Sequence, residues 1–580
     1  MVVELGMEEP ARRGFAAQRG GLRSFAAPFK ALSEEGLLPE STRRLAQWSL
    51  GLLCVAVGLL APASAGAITS AQCAGRVNDT PDKLVECVQQ GDLSAHMDSL
   101  QAIANANPGP DGHPSRNSGE PGYKASADYV AGLMQEAGYD VQLQKYQFDY
   151  YAYTGIPTMS VNGTDLVLGV DWGPGQSLGS MGGQTTLTMV KNNVLPPTTT
   201  PSSAAGCAPG DFGPEVSGHP VLIQRGTCTF AQKVANAQAA GATGVIIFNE
   251  GNTDPDRTGL LIGSLGSVPK IPVVFVTFAI GNEMAHEIAT GNPPSPTVDI
   301  KAIFQPNADD WNVIADSQGG DKNHTLVVDA HLDAIYGAGM LDNGSGSMAI
   351  LDIAQMMRNV NPANHLRFIW FGGEELGLFG SQFYVNNLAP TQASHISYDL
   401  DADVFGTPNY LIGILDPAAP DLFSKQVPET FPNKVYKPSQ VARDQAIAFF
   451  DKAGFNHELI SPNGTDAIWF NRIGVPASGL LTGQDCCKTQ QEVDLFGGQT
   501  GNFEGNLGTT DGGCVDNPFR WCDNWPDNVD ADNLTLMSKA MADMVVRQAF
   551  NTKIASNSNN TAVYPPKSGI VSDTRGHPAD

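Results

Sequence analysis

Two apolar segments that end at acidic and imidazole side chains constrain the fold of this 580-residue chain more than any other feature. Residues 325–330 (T-L-V-V-D-A) lead into His331, and residues 366–371 (L-R-F-I-W-F) lead toward Glu374 and Glu375. Continuous apolar runs of this length are typical of strands that are buried on both faces. Open α/β sheets bind their ligands at the carboxyl ends of such strands. The sequence therefore predicts an α/β domain with a functional site at this edge of its sheet.

The residues around these strand ends form a set of candidate metal ligands. His331 is followed by Asp342, which lies in a D-N-G-S-G loop just before a predicted helix over 347–358, and Asp403 ends a further apolar stretch. One imidazole with several carboxylates, and no nearby cysteine, suits zinc. A carboxylate in a loop such as that of Asp342 can be presented to two metals at once.

Two more carboxylates have different predicted roles. Asp333 lies two residues after His331, where it is well placed to hold the imidazole in one tautomer. Glu374 and Glu375 are adjacent, so in extended geometry their side chains point apart. One of them can then bind metal while the other reaches an attacking water as general base.

Length and charge restrict the class of protein. A chain of this length exceeds one ordinary core, so two or more domains are expected. Its net charge of −26 argues against nucleic acid as a partner and for solubility outside the cell. Since no segment reaches 18 consecutive apolar residues after the N-terminal region, no membrane span is expected.

The N-terminal region resembles a secretory signal. Arg43 and Arg44 precede an apolar run over 49–62, and A-S-A follows at 63–65. We therefore expect a signal peptide at about 43–65 and an extracellular protein. The preceding residues are interpreted as a leader, with a misplaced start codon as the alternative.

The cysteine count agrees with export. After loss of the signal, eight cysteines remain, and an even count in an exported chain favours disulfides. We expect local pairs, although the sequence leaves the connectivity open. The expected pairs are Cys73–Cys87, Cys207–Cys228 and Cys514–Cys522.

The middle of the chain predicts a separate module. Its pattern indicates a strand at 220–224, a helix at 230–241, and strands at 244–248 and 272–277. The run V-L-I-Q-R-G-T-C-T-F-A-Q-K-V-A-N-A-Q-A-A-G-A-T-G-V-I-I-F-N (221–249), with I-P-V-V-F-V (271–276), resembles a protease-associated (PA) domain. The resemblance implies a lid or substrate-positioning module without chemistry of its own; a small surface insert is the alternative.

The segments on either side resemble the secreted di-zinc aminopeptidases of metallopeptidase family twenty-eight. The motifs occur in family order: H-L-D at 331, L-D-N-G-S-G at 341, F-G-G-E-E-L-G-L-F-G-S at 371 and D-x-F-G-T-P-N at 403. The run at 119–139 also fits the family's opening. The resemblance implies a mixed, mostly parallel central sheet flanked by helices, the phosphorylase/hydrolase-like fold of zinc exopeptidases.

The two resemblances imply a division of the chain into five parts. They are a leader and signal peptide at 1–65, a first part of the peptidase domain at 74–165, an inserted PA domain at 166–303, the peptidase domain with the metal site at 304–550, and a flexible tail at 551–580.

By position in the family motifs, each candidate residue acquires a role. The resemblance implies that His331 and Asp403 hold one zinc, that Asp342 bridges two zincs, that Glu375 holds the second and that Glu374 is the general base. The implied activity is hydrolysis of the N-terminal residue of a peptide or protein substrate by a zinc-activated water.

The chain departs from the family at one loop. The family's second zinc takes a histidine from a late C-Y-H-x-x-C-D loop, whereas residues 514–523 read C-V-D-N-P-F-R-W-C-D and place Phe519 and Arg520 where Tyr and His belong. Arg cannot become a metal ligand. Our hypothesis is that Arg520 fills the second metal's place beside Glu375, leaving one zinc or none; the alternative is that His457 or another distant histidine replaces the ligand.

This departure leaves two functions open. The first is a secreted zinc aminopeptidase. The second is a catalytically impaired or inactive member of the fold that binds peptides or sugars.

Overall fold

The structure, a computed structural model, describes residues 68–182, 185–200, 202–252, 257–261, 263, 265, 267–420, 429–483, 488–500 and 521–553. The predicted leader and signal peptide (1–65) lie outside these residues, as does most of the predicted tail. All described residues belong to one compact unit, Ala67–Asp580.

The first four helices precede the first strand, and the later helices are interspersed with strands. In chain order they are α1 (Ser70–Gly75), α2 (Pro81–Cys87), α3 (Gln90–Ala106), α4 (Pro121–Glu136), α5 (Phe230–Ala239), α6 (Phe278–Ala289), α7 (Ser345–Met357), α8 (Phe379–Asn386), α9 (Pro390–His395), α10 (Asn433–Ala453), α11 (Ala467–Arg472), α12 (Gln490–Phe496) and α13 (Ala531–Ala549).

Seventeen strands are present among the described residues. They are β1 (Asp140–Tyr153), β2 (Thr158–Val161), β3 (Thr164–Asp165), β4 (Trp172–Pro174), β5 (Gly179–Met181), β6 (Thr188–Met189), β7 (Pro220–Gln224), β8 (Gly244–Phe248), β9 (Val273–Val276), β10 (Pro296–Ile300), β11 (Ala302–Asp316), β12 (Asp321–His331), β13 (Asn364–Phe371), β14 (Ile396–Ala402), β15 (Gly413–Leu415), β16 (Glu458–Ile460) and β17 (Ala477–Leu481).

An eight-stranded mixed sheet forms the centre of the molecule, and its order is β1-β11-β13-β12-β14-β17-β15-β16. The four inner strands β13, β12, β14 and β17 run parallel. Strands β1 and β11 pair antiparallel to their neighbours, and β15 is antiparallel to β17 but parallel to β16. This confirms the predicted mixed α/β fold with a largely parallel centre. The parallel order brings the carboxyl ends of β12, β13 and β14 side by side.

Helices cover both faces of this sheet, which explains the continuous apolar runs in the sequence. Along β12, Leu326 and Val328 join one core cluster with α3, α4, α7, α10 and α13, whereas Val327 joins another cluster with α8 and α11. Along β13, Phe368 faces the first cluster and Ile369 the second. Because both faces are buried, successive residues along these strands are mostly apolar.

The inserted module leaves the central sheet after β1 and returns to it at β11. Its five-stranded sheet has the order β4-β9-β8-β7-β6, and a four-stranded sheet has the order β3-β2-β10-β5. The predicted strand-helix-strand unit corresponds to β7, α5 and β8. Strands β2 and β3, which the predicted boundary of 165/166 assigned to the peptidase domain, pair with the insert instead.

Two disulfides confirm two of the three expected cysteine pairs. Cys73–Cys87 joins α1 to α2, and Cys207–Cys228 lies before α5 in the insert. Cys522 is also disulfide-bonded, but Cys514 lies outside the described residues, so the third pair stays a prediction.

Within the described part of the chain, no helix combines the length and apolarity that a bilayer crossing requires.

Removing a core side chain from the strand that carries His331 should destabilise the whole peptidase domain. Leu326 is fully buried in β12. We expect Leu326→Ala to lower the free energy of unfolding by about 2–5 kcal/mol, because it removes buried methyl groups and leaves a cavity. Denaturant unfolding followed by tryptophan fluorescence measures this change.

Leu143→Ala on the edge strand β1 is the matched control. Leu143 is 37% exposed, so its truncation should change the unfolding free energy by no more than about 0.5 kcal/mol. Equal losses in the two variants would contradict the placement of β12 in the core.

Candidate metal centre

Three side chains that follow apolar strands in the sequence converge in space. His331 is the last residue of β12, Asp403 directly follows β14, and Asp342 lies in an irregular turn, Met340–Gly344, that leads into α7. Nε2 of His331 lies 3.1 Å from Oδ1 of Asp342 and 3.2 Å from Oδ1 of Asp403. One donor atom from each residue lies within 4.8 Å of the other two.

The chemistry of these donors fits a divalent cation. His331 and Asp342 are each 3% exposed. Oδ1 of Asp403 is buried and has no hydrogen-bond partner among the described residues. Burying a carboxylate is costly unless a cation or hydrogen bonds compensate it. One imidazole with two carboxylates is a donor set that zinc accepts, so these three residues fit zinc as its ligands.

Asp333 links the imidazole to the turn that carries the paired glutamates. Its Oδ1 lies 3.4 Å from Nδ1 of His331 and accepts a hydrogen bond of 3.2 Å from the backbone N–H of Glu374. Asp333 is fully buried. The carboxylate thus lies where the sequence analysis expected an acceptor for the imidazole, and it also contacts the next strand end.

Glu374 and Glu375 lie in a turn, and the expectation of an extended pair was wrong. The N–H groups of Gly377 and Leu378 donate to the carbonyl oxygen of Glu374 at 2.9 and 2.8 Å. Gly373 makes the turn possible because its φ of +65° is disfavoured for residues with a Cβ. Oε2 of Glu374 lies 3.9 Å from Nε2 of His331. Glu375 is half-buried and is not one of the three grouped donors.

The concentration of carboxylates changes the acidity of the buried groups. Burial disfavours a charged imidazole, but Glu374, Asp403, Asp333 and Asp342 outweigh burial and raise the pKa of His331 well above its ordinary value. Burial is also the largest cause that raises the pKa of Glu374, and His331 opposes it. Surroundings that hold a proton on the imidazole also favour a divalent cation, which displaces that proton when it binds.

Asn343 ties the loop of Asp342 to the loop of Asp403. Its Nδ2 donates to the carbonyl oxygen of Ala402 at 2.8 Å, and its Oδ1 accepts from the N–H groups of Gly346 (2.8 Å) and Val404 (3.0 Å). A Cβ on Gly346 would lie 2.3 Å from the carbonyl oxygen of Ala402. Only glycine therefore allows the two loops to approach this closely.

Ser345 connects the same two loops a second time. Its hydroxyl donates to the carbonyl oxygen of Leu341 at 2.6 Å and accepts from the N–H of Phe405 at 2.7 Å. Asn343 and Ser345 were not among the predicted site residues, because contacts between a side chain and a backbone about 60 residues away leave no local pattern in the sequence. The D-N-G-S-G motif was the only available signal.

Asp523 supports the Asp342 turn from the far end of the chain. Its two carboxylate oxygens accept hydrogen bonds from the N–H groups of Leu341 (2.8 Å) and Asp342 (3.1 Å). Asn528 donates to the same side chain at 3.0 Å. Asp523 was not among the predicted site residues, although it lies in the late loop next to Cys522.

The remaining predicted site residues are not in this group. Phe519 and Arg520 lie outside the described residues, so the guanidinium hypothesis stays a prediction. His457, the proposed alternative ligand, lies with Nδ1 3.8 Å from Asp451 at the end of α10. Among the described residues it does not belong to the group of possible metal ligands.

Sequence comparison identifies two families in this chain. The family described as Peptidase family M28 matches residues 312–543, which include all three grouped donors. The PA domain matches residues 187–284, within the insert.

Relatives extend this similarity over most of the chain. An aminopeptidase from Pseudomonas aeruginosa is 33% identical over 532 residues, covering 88% of this chain and 92% of the relative. Leucine aminopeptidase 2 from Trichophyton rubrum is 31% identical over 435 residues, covering 73% of this chain and 79% of the relative.

Two solved structures share the fold. An aminopeptidase from Aneurinibacillus sp. strain AM-1 aligns with a TM-score of 0.57 at 19% identity and covers 82% of this chain and 98% of its own. A zinc aminopeptidase from Bacillus subtilis aligns with a TM-score of 0.51 at 21% identity and covers 81% and 97%.

Neutralising one of the three grouped donors should weaken metal binding. We expect Asp403→Asn to lower the affinity for zinc at least about tenfold, because a neutral amide replaces an anionic oxygen donor. Competition with a chromophoric chelator at neutral pH measures the affinity.

Asp165→Asn is the control, since Asp165 is exposed on β3. It should bind zinc as the unmodified protein does. Unchanged zinc affinity in Asp403→Asn would exclude Asp403 as a ligand.

Proposed function

The chain belongs to peptidase family M28 and contains a PA domain, and on that premise we propose that it is a zinc-dependent aminopeptidase that acts outside the cell. Family membership makes it a peptidase, and so a hydrolase. The observation that carries the finer assignment is the convergence of His331, Asp342 and Asp403 with Glu374 beside them. Relatives that are named aminopeptidases support the same reaction.

In this proposal the strand ends supply the ligands. His331, Asp342 and Asp403 would hold one zinc, and Asp342 with Glu375 would contribute to a second. When bound, zinc polarises the scissile carbonyl and lowers the pKa of water. Asn343 keeps the loops of Asp342 and Asp403 at a fixed separation through its three hydrogen bonds.

Glu374 would act as the general base and then as the general acid. Its buried carboxylate accepts a proton from the attacking water while the water oxygen forms a bond to the carbonyl carbon of the first peptide bond. When the carbon–nitrogen bond breaks, the same proton passes from Glu374 to the leaving nitrogen. Asp333 holds the backbone N–H of Glu374 and faces the imidazole of His331, so it orients both.

The anionic surroundings suit a substrate with a free N-terminus. The carboxylates that surround His331 outnumber it, and they would receive the free ammonium of a peptide or protein substrate. An internal peptide bond offers no such cation, so this charge balance favours removal of the N-terminal residue over internal cleavage.

The PA domain would act as a lid or substrate-positioning module. Tyr336 lies in the loop between His331 and Asp342. It packs against the core cluster that β1 shares with the insert, and its ring centroid lies 5.6 Å from that of Tyr153 in β1. This contact joins the loop between two of the grouped donors to the core that the insert shares with β1. It supports a positioning role over that of a surface insert remote from the site.

Secretion is the remaining part of the proposal. It is supported by the signal-like sequence over 43–65 and by the two disulfides in the described part of the chain. Disulfides form and persist in oxidising compartments.

A second candidate function is a metal-poor peptide-binding protein. It is favoured by one sequence observation, the presence of Phe519 and Arg520 where the resemblance requires Tyr and His. A cation next to Glu375 would oppose a second zinc. This candidate predicts tight peptide binding without hydrolysis.

Replacing the proposed base should abolish hydrolysis while the metal stays bound. We expect Glu374→Gln to lower kcat on a leucyl-anilide about 10²–10⁴-fold, because the amide cannot accept a proton from water. The rate is measured on the full chain with zinc supplied, and zinc content is measured on the same sample.

Glu136→Gln is the control, since Glu136 is exposed at the end of α4. It should keep the rate of the unmodified protein. Hydrolysis by Glu374→Gln at the unmodified rate would exclude Glu374 as the base, and a wild-type chain inactive with and without zinc would favour the binding protein.

Zinc stoichiometry tests the role proposed for Arg520. If its guanidinium opposes the second metal, the unmodified chain should bind at most one zinc and Arg520→His should bind one more, because a neutral imidazole restores the donor. Arg358→His, at an exposed position after α7, should leave the stoichiometry unchanged. Two tightly held zincs in the unmodified chain would rule out the hypothesis.

A further inference from the structure

A fully buried guanidinium lies beneath the loop that joins His331 to Asp342. Arg116 has no exposed surface. Its Nε donates to the carbonyl oxygen of Ala338 at 2.5 Å, its Nη1 to that of Leu332 at 2.5 Å, and its Nη2 to that of Gly339. One planar side chain therefore connects both ends of this loop.

The carbonyl groups that Arg116 holds are adjacent to the grouped donors. Leu332 follows His331 directly, and Gly339 precedes the turn Met340–Gly344 that contains Asp342. The carbonyl oxygen of Gly339 also accepts from the N–H of Gly344 at 3.0 Å. The guanidinium thus sets the distance between the backbone positions of the imidazole and the carboxylate.

Arg116 also balances the charge of this region. Burial has the largest effect on the pKa of Arg116 and lowers it to about 10. The carboxylates of Asp523, Asp333 and Asp342 act in the opposite direction and favour the charged guanidinium. At neutral pH the guanidinium therefore stays protonated. A buried cation at this place offsets part of the cost of burying several carboxylates together.

Asn117 and Ser118, which follow Arg116, contact the same loop and the turn of Glu374. Asn117 forms a parallel bridge with Ala334 in the same loop. The hydroxyl of Ser118 accepts a hydrogen bond of 2.6 Å from the backbone N–H of Gly373, the residue directly before Glu374. The side chain of Ser118 is also hydrogen-bonded to the carboxyl group of Asp310. That carboxyl group accepts a further hydrogen bond from the hydroxyl of Tyr146 at 2.8 Å.

We propose that the segment 116–118 is a positioning element that sets both halves of the metal centre, with Arg116 fixing the backbone of the His331–Asp342 loop and Ser118 fixing the turn of Glu374. The inference rests on the proposed function, because it concerns the same site. It assigns two residues that are not among the grouped donors. Arg116 controls metal affinity, and Ser118 controls the position of the base.

Arg116→Lys is the decisive variant for the first role. Lysine keeps the positive charge but cannot donate in a planar fork to three carbonyl groups. We expect the zinc affinity of the full chain to fall at least about tenfold in competition with a chelator. Arg367→Lys is the matched control. Arg367 is a half-buried arginine of β13 whose guanidinium pairs with Asp316, and it lies away from the end of the strand that leads to Glu374.

The control separates positioning from general destabilisation. Arg367→Lys should bind zinc as the unmodified protein does, even where denaturant unfolding shows a comparable loss of stability. An equal loss of zinc affinity in both variants, or none in Arg116→Lys, would overturn the role of Arg116. A wild-type chain that binds zinc but does not hydrolyse peptides would overturn the proposed function alone.

Ser118 provides a second and independent pair of variants, which decides the proposal if Arg116→Lys does not fold. Ser118→Ala removes the acceptor of the Gly373 N–H, so we expect kcat on a leucyl-anilide to fall about tenfold while KM and zinc affinity stay unchanged. Ser118→Thr keeps the hydroxyl and should restore kcat. A Ser118→Ala variant with unchanged kcat, or a loss that threonine does not restore, would overturn the role of Ser118.

Discussion

The structure depends on bringing several carboxylates and one imidazole together in a place that water hardly reaches. Removing charged groups from water costs several kcal/mol for each ion unless opposite charges and hydrogen bonds compensate it. His331 lies within 3.1–3.9 Å of Asp342, Asp403 and Glu374. The surrounding contacts offset this cost. Arg116 supplies a buried cation, and the side chains of Asn343, Ser345 and Asp523 fix the loops on which the carboxylates lie.

The parallel centre of the sheet makes this concentration of charge possible. Because β13, β12 and β14 run in the same direction, their last residues meet at one edge. Helices cover both faces, so the strands supply a rigid apolar support and their ends supply the polar side chains. The insert enters between β1 and β11, two antiparallel strands at one side of the sheet, and leaves the parallel strands uninterrupted. Tyr336, in the loop between His331 and Asp342, packs against the core cluster that the insert shares with β1.

Some elements of the fold could be predicted from the local sequence pattern, and others could not. Several elements agree with the sequence prediction, because each depends on apolar periodicity or on a short separation along the chain. They are the strands β12 and β13, the helix α7, the β7-α5-β8 unit and two cysteine pairs. The start of the insert was placed too late for the strand pairing, since β2 is short and partners β10, a strand more than 130 residues away, and β3 pairs with β2. The turn at Glu374 was missed because the strand before it gives no sign of where extended backbone ends.

By itself, the sequence determined which residue types lie at the strand ends, and hence that His331, Asp342 and Asp403 are candidate ligands of one metal. It also determined the family and the inserted domain, because both have motifs of adjacent residues. Only the tertiary structure decided which groups hold those ligands in place. Arg116 reaches backbone more than 200 residues away and Asp523 reaches back about 180. Hydrogen bonds to a backbone carbonyl or N–H place no requirement on the side chain of the distant residue, so they leave no pattern in the sequence.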